Sequence, residues 1–241
     1  DLYAENKVAI RSAEGRTFME SMAQELMTSL FYYDPSTNVR HPKGLGARYG
    51  VKATSGAGNQ IVDAGGTGSD NTSIWLVEWG YDGLSTIYPK GTPAGMQREN
   101  KGQQRVLDPA GNPYYVEEEL FRTHVGFSVG DWQRISVVRN VDVSELAAGN
   151  VDLYGFLRKA YYKLKSRRVN KIMDQKAPGR LAMYCNTDIL EALDGLATNA
   201  GADDNFTRLR PTEIQGQEVM SYRGIPIRET DAILNTEARV V

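Results

Sequence analysis

The stretch Asp63–Lys90 reads DAGGTGSDNTSIWLVEWGYDGLSTIYPK and decides how the middle of the chain folds. Three glycines stand near its start, at Gly65, Gly66 and Gly68. They precede the apolar run Ile74–Trp79, whereas a phosphate-binding loop places its glycines between a strand and the N-terminus of a helix. The run is rich in β-forming residues and predicts a strand. The order therefore argues against a nucleotide-binding loop.

A turn is predicted directly after this strand. Tyr81-Asp82-Gly83-Leu84 places an Asp-Gly pair between two strand-like runs. Asp-Gly favours the two-residue loop of a β-hairpin because both residues tolerate positive φ. The sequence therefore predicts that Asp63–Lys90 is a loop that leads into a β-hairpin.

Composition limits the chemistry that the chain offers. The 241 residues carry a formal net charge of −2, with 41% hydrophobic and 24% charged residues, as in ordinary globular proteins. The balance argues against a dedicated nucleic-acid binder, which usually carries a basic excess. One cysteine, Cys185, excludes a disulfide within the chain, and two histidines, His41 and His124, make a metal site built from His and Cys improbable. No apolar run approaches the roughly 18 residues of a membrane span.

A long amphipathic helix is predicted over residues 4–30. Its apolar stripe recurs at helical spacing through Phe18, Met19, Met22, Ala23, Leu26, Met27 and Leu30. At 1.5 Å per residue this helix spans roughly 40 Å. Such a length suggests a strut laid across a sheet.

The remaining pattern mixes strands and helices, and the predicted fold class is α+β. An alternating segment from Tyr114 to Val129 predicts one strand, joined by the turn Asp108–Gly111 to Gln103–Leu107. Amphipathic spacing predicts a helix at Val151–Ser166, and Thr187 resembles an N-cap for a helix at Asp188–Leu196. Short strands are predicted at Leu181–Tyr184, Gln217–Tyr222 and Ile225–Arg228, the last at a sheet edge because of Pro226.

Candidate catalytic residues are few and have simpler interpretations. Cys185 ends a strand before a helix, where a thiol can be activated, but a small buried residue is the favoured interpretation. His124 shares a strand face with Ser128 and lies near Asp131, but this arrangement lacks the turn that exposes a serine nucleophile. Glu117, Glu118 and Glu119 point to alternate faces and are interpreted as solvated charge. We predict no catalytic, cofactor-binding or metal-binding residues.

A basic cluster lies on and after the predicted helix 151–166. It comprises Arg158, Lys159, Lys163, Lys165, Arg167, Arg168 and Lys171. Cations near a helix C-terminus are favoured by the macrodipole. No aromatic residues alternate with these charges as they do in single-strand binding grooves. The pattern favours a solvated or subunit-contacting helix end over a nucleic-acid groove.

Four blocks of the sequence resemble a known family. They are GGTGSDNTSIWLVEWG (65–80), IYPKG (87–91), FRTHVGFSVGDWQRISVVRNVDVS (121–144) and YRGIPIRETDAILNTEARVV (222–241). These blocks resemble the major capsid proteins of tailed bacteriophages, in particular those of short-tailed phages related to epsilon15. The resemblance extends over most of the chain from Ala4 onward.

The resemblance implies the Hong Kong-97 capsid fold. In that fold a spine helix crosses a β-sheet in a peripheral domain, and a mixed α/β axial domain points to the capsomer centre. The implied division is a mainly peripheral domain over 1–140 with the spine helix at 4–30 and β-hairpins, a mainly axial domain over 141–215, and C-terminal strands over 216–241 that return to the core. Family members carry an N-terminal arm and an extended loop ahead of the spine helix, and both are expected to be missing from this sequence, which opens at Asp1.

The resemblance also implies a function without catalysis or cofactors. It implies self-assembly into hexamers and pentamers of an icosahedral shell around double-stranded DNA, in the virion, after assembly in the bacterial cytoplasm. Implied partners are other copies of the chain, portal, scaffold or decoration proteins, and DNA contacted without sequence preference, with no membrane. An encapsulin-like nanocompartment, which shares the fold and holds cargo proteins, is the alternative.

Overall fold

A nine-stranded mixed sheet organises the chain in the computed structural model, which describes residues 7–37, 39–166, 180–198, 209–214 and 217–241. The sheet strands are β1 (Ile61–Asp63), β2 (Asn71–Trp79), β3 (Leu84–Ile87), β6 (Gly126–Val129), β7 (Ile135–Asp142), β8 (Arg180–Cys185), β9 (Arg210–Ile214), β10 (Gln217–Tyr222) and β11 (Ile225–Glu229). Their order is β1-β7-β2-β8-β11-β10-β9, and β3 pairs with β2 and β6. The strands β4 (Met96–Leu107) and β5 (Pro113–Thr123) form a separate antiparallel hairpin.

Helices cover both faces of the sheet. They are α1 (Lys7–Tyr32), α2 (Leu45–Arg48), α3 (Val143–Ala147), α4 (Leu153–Lys163) and α5 (Thr187–Thr198). The predicted long helix is confirmed as α1. It continues to Tyr32, two residues past the predicted end, while residues 4–6 lie outside the described residues. No helix in the described ranges has the length and apolarity needed to cross a bilayer.

Strand β2 lies at the centre of the sheet and separates two hydrophobic cores. Ile74 and Leu76 face one core, while Trp75 and Val77 face the other. Because side chains alternate in a strand and both faces are covered, β2 is apolar almost throughout. The first core lies under α3, α4 and α5, and the second lies under α2 and the C-terminal end of α1.

The predicted hairpin at Tyr81–Leu84 is wrong. Strand β3 meets β2 in parallel, through the single pair Trp79 and Leu84, and then pairs antiparallel with β6. Gly83 does not adopt the positive φ that a two-residue hairpin loop requires. A Cβ on Gly83 would come within 2.2 Å of the Glu78 carbonyl oxygen. The glycine is therefore needed for close backbone contact, and the chain leaves β2 to pair elsewhere.

The single strand predicted over Tyr114–Val129 is two strands. The chain breaks at His124 and Val125, so that β5 belongs to the separate hairpin and β6 to the main sheet. Period-two alternation continues across such a break because each piece still has one covered face. The predicted turn after Leu107 is confirmed: the Asp108 N–H donates to the Asn112 carbonyl at 3.0 Å, and Gly111 has φ 86°.

Two further details differ from the sequence prediction. Strand β11 lies between β8 and β10, so Pro226 is not on an edge strand. Pro226 pairs only with β10, and the pairing with β8 begins at Ile227, where a backbone N–H is present. Helix α5 begins at Thr187, and its cap is Asn186, whose Oδ1 accepts the Ile189 N–H at 3.0 Å.

Candidate functional site

The Cys185 thiol is a buried core group. It lies at the end of β8 with no exposed surface. Burial, with a smaller contribution from the negative charge of Glu229, raises the pKa of Cys185 to about 12. The thiol is therefore neutral at physiological pH, which is the opposite of an activated nucleophile.

The structure does not assemble His124, Ser128 and Asp131 into a catalytic triad. His124 is exposed at the break between β5 and β6, and Ser128 is paired with Ser85 across the sheet. Asp131 accepts the Gln133 N–H at 3.0 Å and binds Lys165 at 2.7 Å. Among the described residues no hydrogen bond joins any two of the three groups. The arrangement cannot activate a serine.

The acidic run in β5 is only partly solvated, contrary to the sequence interpretation. Glu117 and Glu119 both bind the guanidinium of Arg11 on α1, at 3.2 and 2.6 Å, and Glu119 also binds Arg98 at 2.7 Å. Glu118 points away and is exposed. The side chains at 117 and 119 are therefore used to fix the hairpin to the helix. In the described part of the chain no group of three His, Cys, Asp or Glu side chains is placed to hold a metal ion.

The described part of the basic cluster is mostly engaged within the subunit. The Lys163 ammonium donates to the carbonyl oxygens of Asn59 and Ile61, the second at 3.2 Å. Lys165 binds Asp131, and Lys159 lies 5.1 Å from the ring centre of Phe156. Arg158 is exposed, whereas Arg167, Arg168 and Lys171 lie outside the described residues. This arrangement is not a continuous groove for a phosphate backbone.

A buried polar cluster around Glu237 joins α1 to the sheet. Its carboxylate accepts from the Tyr32 hydroxyl at 2.5 Å and the Ser73 hydroxyl at 2.7 Å, and binds Arg139 at 2.8 Å. Arg139 also stacks over the Trp75 ring at 4.9 Å. We call Tyr32, Ser73, Arg139 and Glu237 the C-terminal clamp, because it ties the end of the chain to β2, β7 and α1.

The C-terminal segment continues past the clamp onto Asn140. The amide of this residue donates to the Val240 carbonyl and accepts the Val240 N–H, both at 2.8 Å. Asn140 adopts the left-handed conformation with φ 59°, which asparagine tolerates better than most residues. The side-chain amide of Asn140 therefore holds both backbone polar groups of Val240.

The N-terminal half of α1 and the hairpin β4–β5 form a helix–hairpin arm (Lys7–Phe18 with Met96–Thr123). Besides the Arg11 ion pairs, Phe18 stacks on Phe121 with ring centres 6.0 Å apart. A cavity of about 250 Å³ remains between the helix and the hairpin. Large apolar side chains stay exposed along the arm: Val8, Phe18, Met96, Leu107, Tyr114 and Tyr115.

Apolar side chains of the arm face solvent, although the arm also carries many charged residues. Tyr115 is 67% exposed and Phe18 61% exposed, and neither belongs to the two hydrophobic cores. A two-stranded hairpin is marginally stable by itself, so the hairpin β4–β5 gains stability when another protein surface packs against it. The exposed aromatic and aliphatic side chains make the arm a candidate site of association.

The comparisons with known proteins identify the family. The sequence model of the family described as Major capsid protein GP7 matches residues 2–241. This chain belongs to that family. A chain of the near-atomic cryo-EM structure of bacteriophage epsilon15 superimposes with a TM-score of 0.69 and 28% sequence identity, covering 98% of this chain and 69% of that chain. A comparison with curated proteins gives no match.

Membership in the capsid family explains the architecture of the chain. The chain has the Hong Kong-97-like fold, with a long helix, α1, whose C-terminal end packs on the main sheet. It is a capsid protein of a tailed phage, it works in the virion, and it assembles with copies of itself. The family is one of structural proteins of the capsid.

The clamp was not found by sequence reasoning, although one signal was present. Arg139 interrupts the apolar strand Ile135–Asp142, and a charge in a buried strand requires a partner. That partner, Glu237, stands in a polar tail without periodicity, 98 residues away. Only the fold brings the two residues together.

Proposed function

We propose that the chain self-assembles into hexamers and pentamers of an icosahedral shell that encloses double-stranded phage DNA. The observation that carries the proposal is the family match over residues 2–241, combined with an exposed apolar arm at one end of α1. Assembly takes place in the cytoplasm of the bacterial host. Portal, scaffold and decoration proteins are further partners of the same shell.

The proposed domain division follows the fold of the family. Residues 1–140 form mainly the peripheral domain with the spine helix, 141–215 mainly the axial domain, and 216–241 return to the core. The main sheet contains strands from all three regions. In its order β7-β2-β8-β11, β2 lies in 1–140, β8 in 141–215 and β11 in 216–241. A shared sheet would let the regions move as one body.

Closed shells do not need strong individual contacts. A ring forms when a heterologous interface closes by rotation, and many copies then add their modest contacts. The net charge of −2 fits DNA that is held without a strong basic lining. The nearly neutral chain thus suits a container that later releases its contents. Shells that are lost in step with DNA release as salt is raised would contradict this point, because the shell would then depend on strong contacts between protein and DNA.

Electron microscopy of particles from lysates of the producing cells tests the proposal. We expect closed shells whose DNA survives nuclease treatment. A chain that stays monomeric at every concentration would contradict shell formation. Shells filled with protein instead of DNA would support the encapsulin-like alternative and contradict the phage container.

A further inference from the structure

The turn between β10 and β11 contains a residue that does not suit its backbone. Arg223 and Gly224 both have positive φ, 52° and 78°, and connect the paired residues Tyr222 and Ile225. This is the geometry of a two-residue hairpin loop, which favours Asn-Gly or Gly-Gly. Arginine at the first position is disfavoured by contact between its Cβ and the backbone. Local rules of this kind are most often broken at functional positions.

The side chain of Arg223 is held by three tyrosines. Its guanidinium carbon lies 5.2 Å from the ring centre of Tyr161, 5.5 Å from that of Tyr162 and 5.7 Å from that of Tyr222. Hydrogen bonds to Tyr162 and Tyr222 help to raise the pKa of Arg223 above its usual value. The cluster therefore fixes a permanent positive charge in one orientation.

This cluster is at the surface. Tyr162 is 50% exposed, and Arg223 is an exposed residue. A guanidinium carries five N–H donors, so two tyrosine hydroxyls leave donors for a third acceptor. Arginine and tyrosine are the residues in which binding energy concentrates at protein interfaces.

We propose that Arg223, held by Tyr161, Tyr162 and Tyr222, is an intersubunit contact that binds a carboxylate of a second copy of this chain. A fixed guanidinium matches a carboxylate through two parallel hydrogen bonds. Each copy exposes suitable acceptors, such as Glu118 and Glu191. This inference rests on the proposed assembly of the chain with itself.

A carboxylate is favoured over a DNA phosphate by the form of the cluster. Non-specific DNA binding uses several cations that follow the phosphate backbone. Here one guanidinium is stacked and oriented, and two cations of α4 have partners within the subunit, Lys159 over Phe156 and Lys163 on backbone carbonyls, while Arg158 is exposed. A single guanidinium held in one orientation suits one defined acceptor group.

The test compares Arg223→Asn with Arg158→Gln, an exposed arginine of α4 outside the cluster. Asparagine suits the turn, so the variant removes the guanidinium without adding backbone strain. We expect Arg223→Asn to raise the critical concentration for shell assembly by about tenfold, with the melting temperature of the unassembled subunit almost unchanged. Arg158→Gln is expected to assemble like the wild type.

Two more variants separate a contact from a fold requirement. Arg223→Lys keeps the positive charge but loses the planar guanidinium that can make two parallel hydrogen bonds to a carboxylate. It is expected to assemble as poorly as Arg223→Asn. Tyr162→Phe keeps the ring under the guanidinium but removes the hydroxyl that hydrogen-bonds to it, and it is expected to assemble less well than the wild type but better than Arg223→Asn. If Arg223→Asn fails to fold, the lysine variant decides between the two interpretations.

The outcomes are distinguishable from failure of the proposed function. A wild-type chain that forms no shell overturns the proposed function itself. A wild type that assembles beside an Arg223→Asn variant that assembles equally well overturns only the carboxylate contact. Normal assembly of Arg223→Asn with less DNA retained also overturns it, since the guanidinium would then bind phosphate.

Discussion

At the scale of single residues, the C-terminal clamp contains a buried ion pair between Arg139 and Glu237. Glu237 and Arg139 have side-chain exposures of only 4% and 6%, so neither charge is solvated by water. Tyr32 and Ser73 both donate to Oε1 of the carboxylate, and Arg139 donates to Oε2. A buried pair of this kind contributes little net stability compared with apolar packing, but removal of one partner leaves an uncompensated charge.

Replacement of Glu237 by Gln tests the clamp. The variant keeps the shape of the side chain but leaves Arg139 without a counter-charge, and we expect the free energy of unfolding to fall by about 3 kcal/mol. Urea denaturation of the unassembled subunit measures the change. The control is Glu118→Gln on the exposed side of β5, which should shift stability by no more than about 0.5 kcal/mol. Equal effects of both substitutions would show that Glu237 is not a buried ion-pair partner.

Alkaline pH should weaken the fold through groups that are buried in their neutral form. Burial raises the pKa of Cys185 to about 12, from an ordinary value of 9.0, and also raises the pKa of Tyr32 and Tyr49. The unfolded chain therefore loses these protons first, so stability is fully present below about pH 9 and falls as pH rises towards 12. Denaturation midpoints measured across this range should decline, and Cys185→Ala should decline less steeply. A flat profile between these values would contradict the burial of these groups.

Residue chemistry was only partly predictable from the sequence. The buried interpretation of Cys185 is confirmed, because an apolar strand flanks it. The solvated interpretation of Glu117 and Glu119 is wrong, because their partner Arg11 is more than 100 residues away. Ion pairs between distant elements leave no local pattern in a sequence.

At the scale of elements, periodicity identified α1 and β2 but not the partners of the strands. Helix α1 and strand β2 have long apolar patterns that a local rule can detect. The Asp82-Gly83 turn and the break at His124 depend on which strand lies beside which. Gly83 is required because a Cβ at this position would collide with the Glu78 carbonyl oxygen. In the sequence alone, the same glycine looks like part of a hairpin turn.

The attachment of the hairpin to α1 can be tested through Arg11. Arg11→Gln removes both ion pairs to β5, and we expect amide exchange in β4 and β5 to become about tenfold faster, because local opening becomes easier by about 1.4 kcal/mol. Hydrogen exchange in β2 and β7 should stay unchanged. The matched control is Arg16→Gln, since Arg16 has its hydrogen bond within the described residues to the Ser12 carbonyl of its own helix. Faster exchange throughout the main sheet would mean that the arm is not a separate unit.

At the scale of the whole molecule, α1 connects the clamp to the arm. Its C-terminal end is fixed in the second core by Leu30 and Phe31 and by the Tyr32 contact to Glu237. Its other end carries the hairpin through Arg11 and Phe18. A helix of 26 residues extends about 39 Å, so the sheet sets the direction of a distant apolar surface. We predict that this surface contacts a neighbouring copy in the shell.

Cryo-electron microscopy of assembled particles is the most direct test of the central claim, that this chain is the repeating subunit of a closed shell. We expect a reconstruction that fits copies of this fold into five- and six-membered rings, with Phe18 and Tyr115 of the arm covered by a neighbour. Particles whose shell density does not fit this fold, or a closed shell in which the arm projects freely into solvent, would contradict the account.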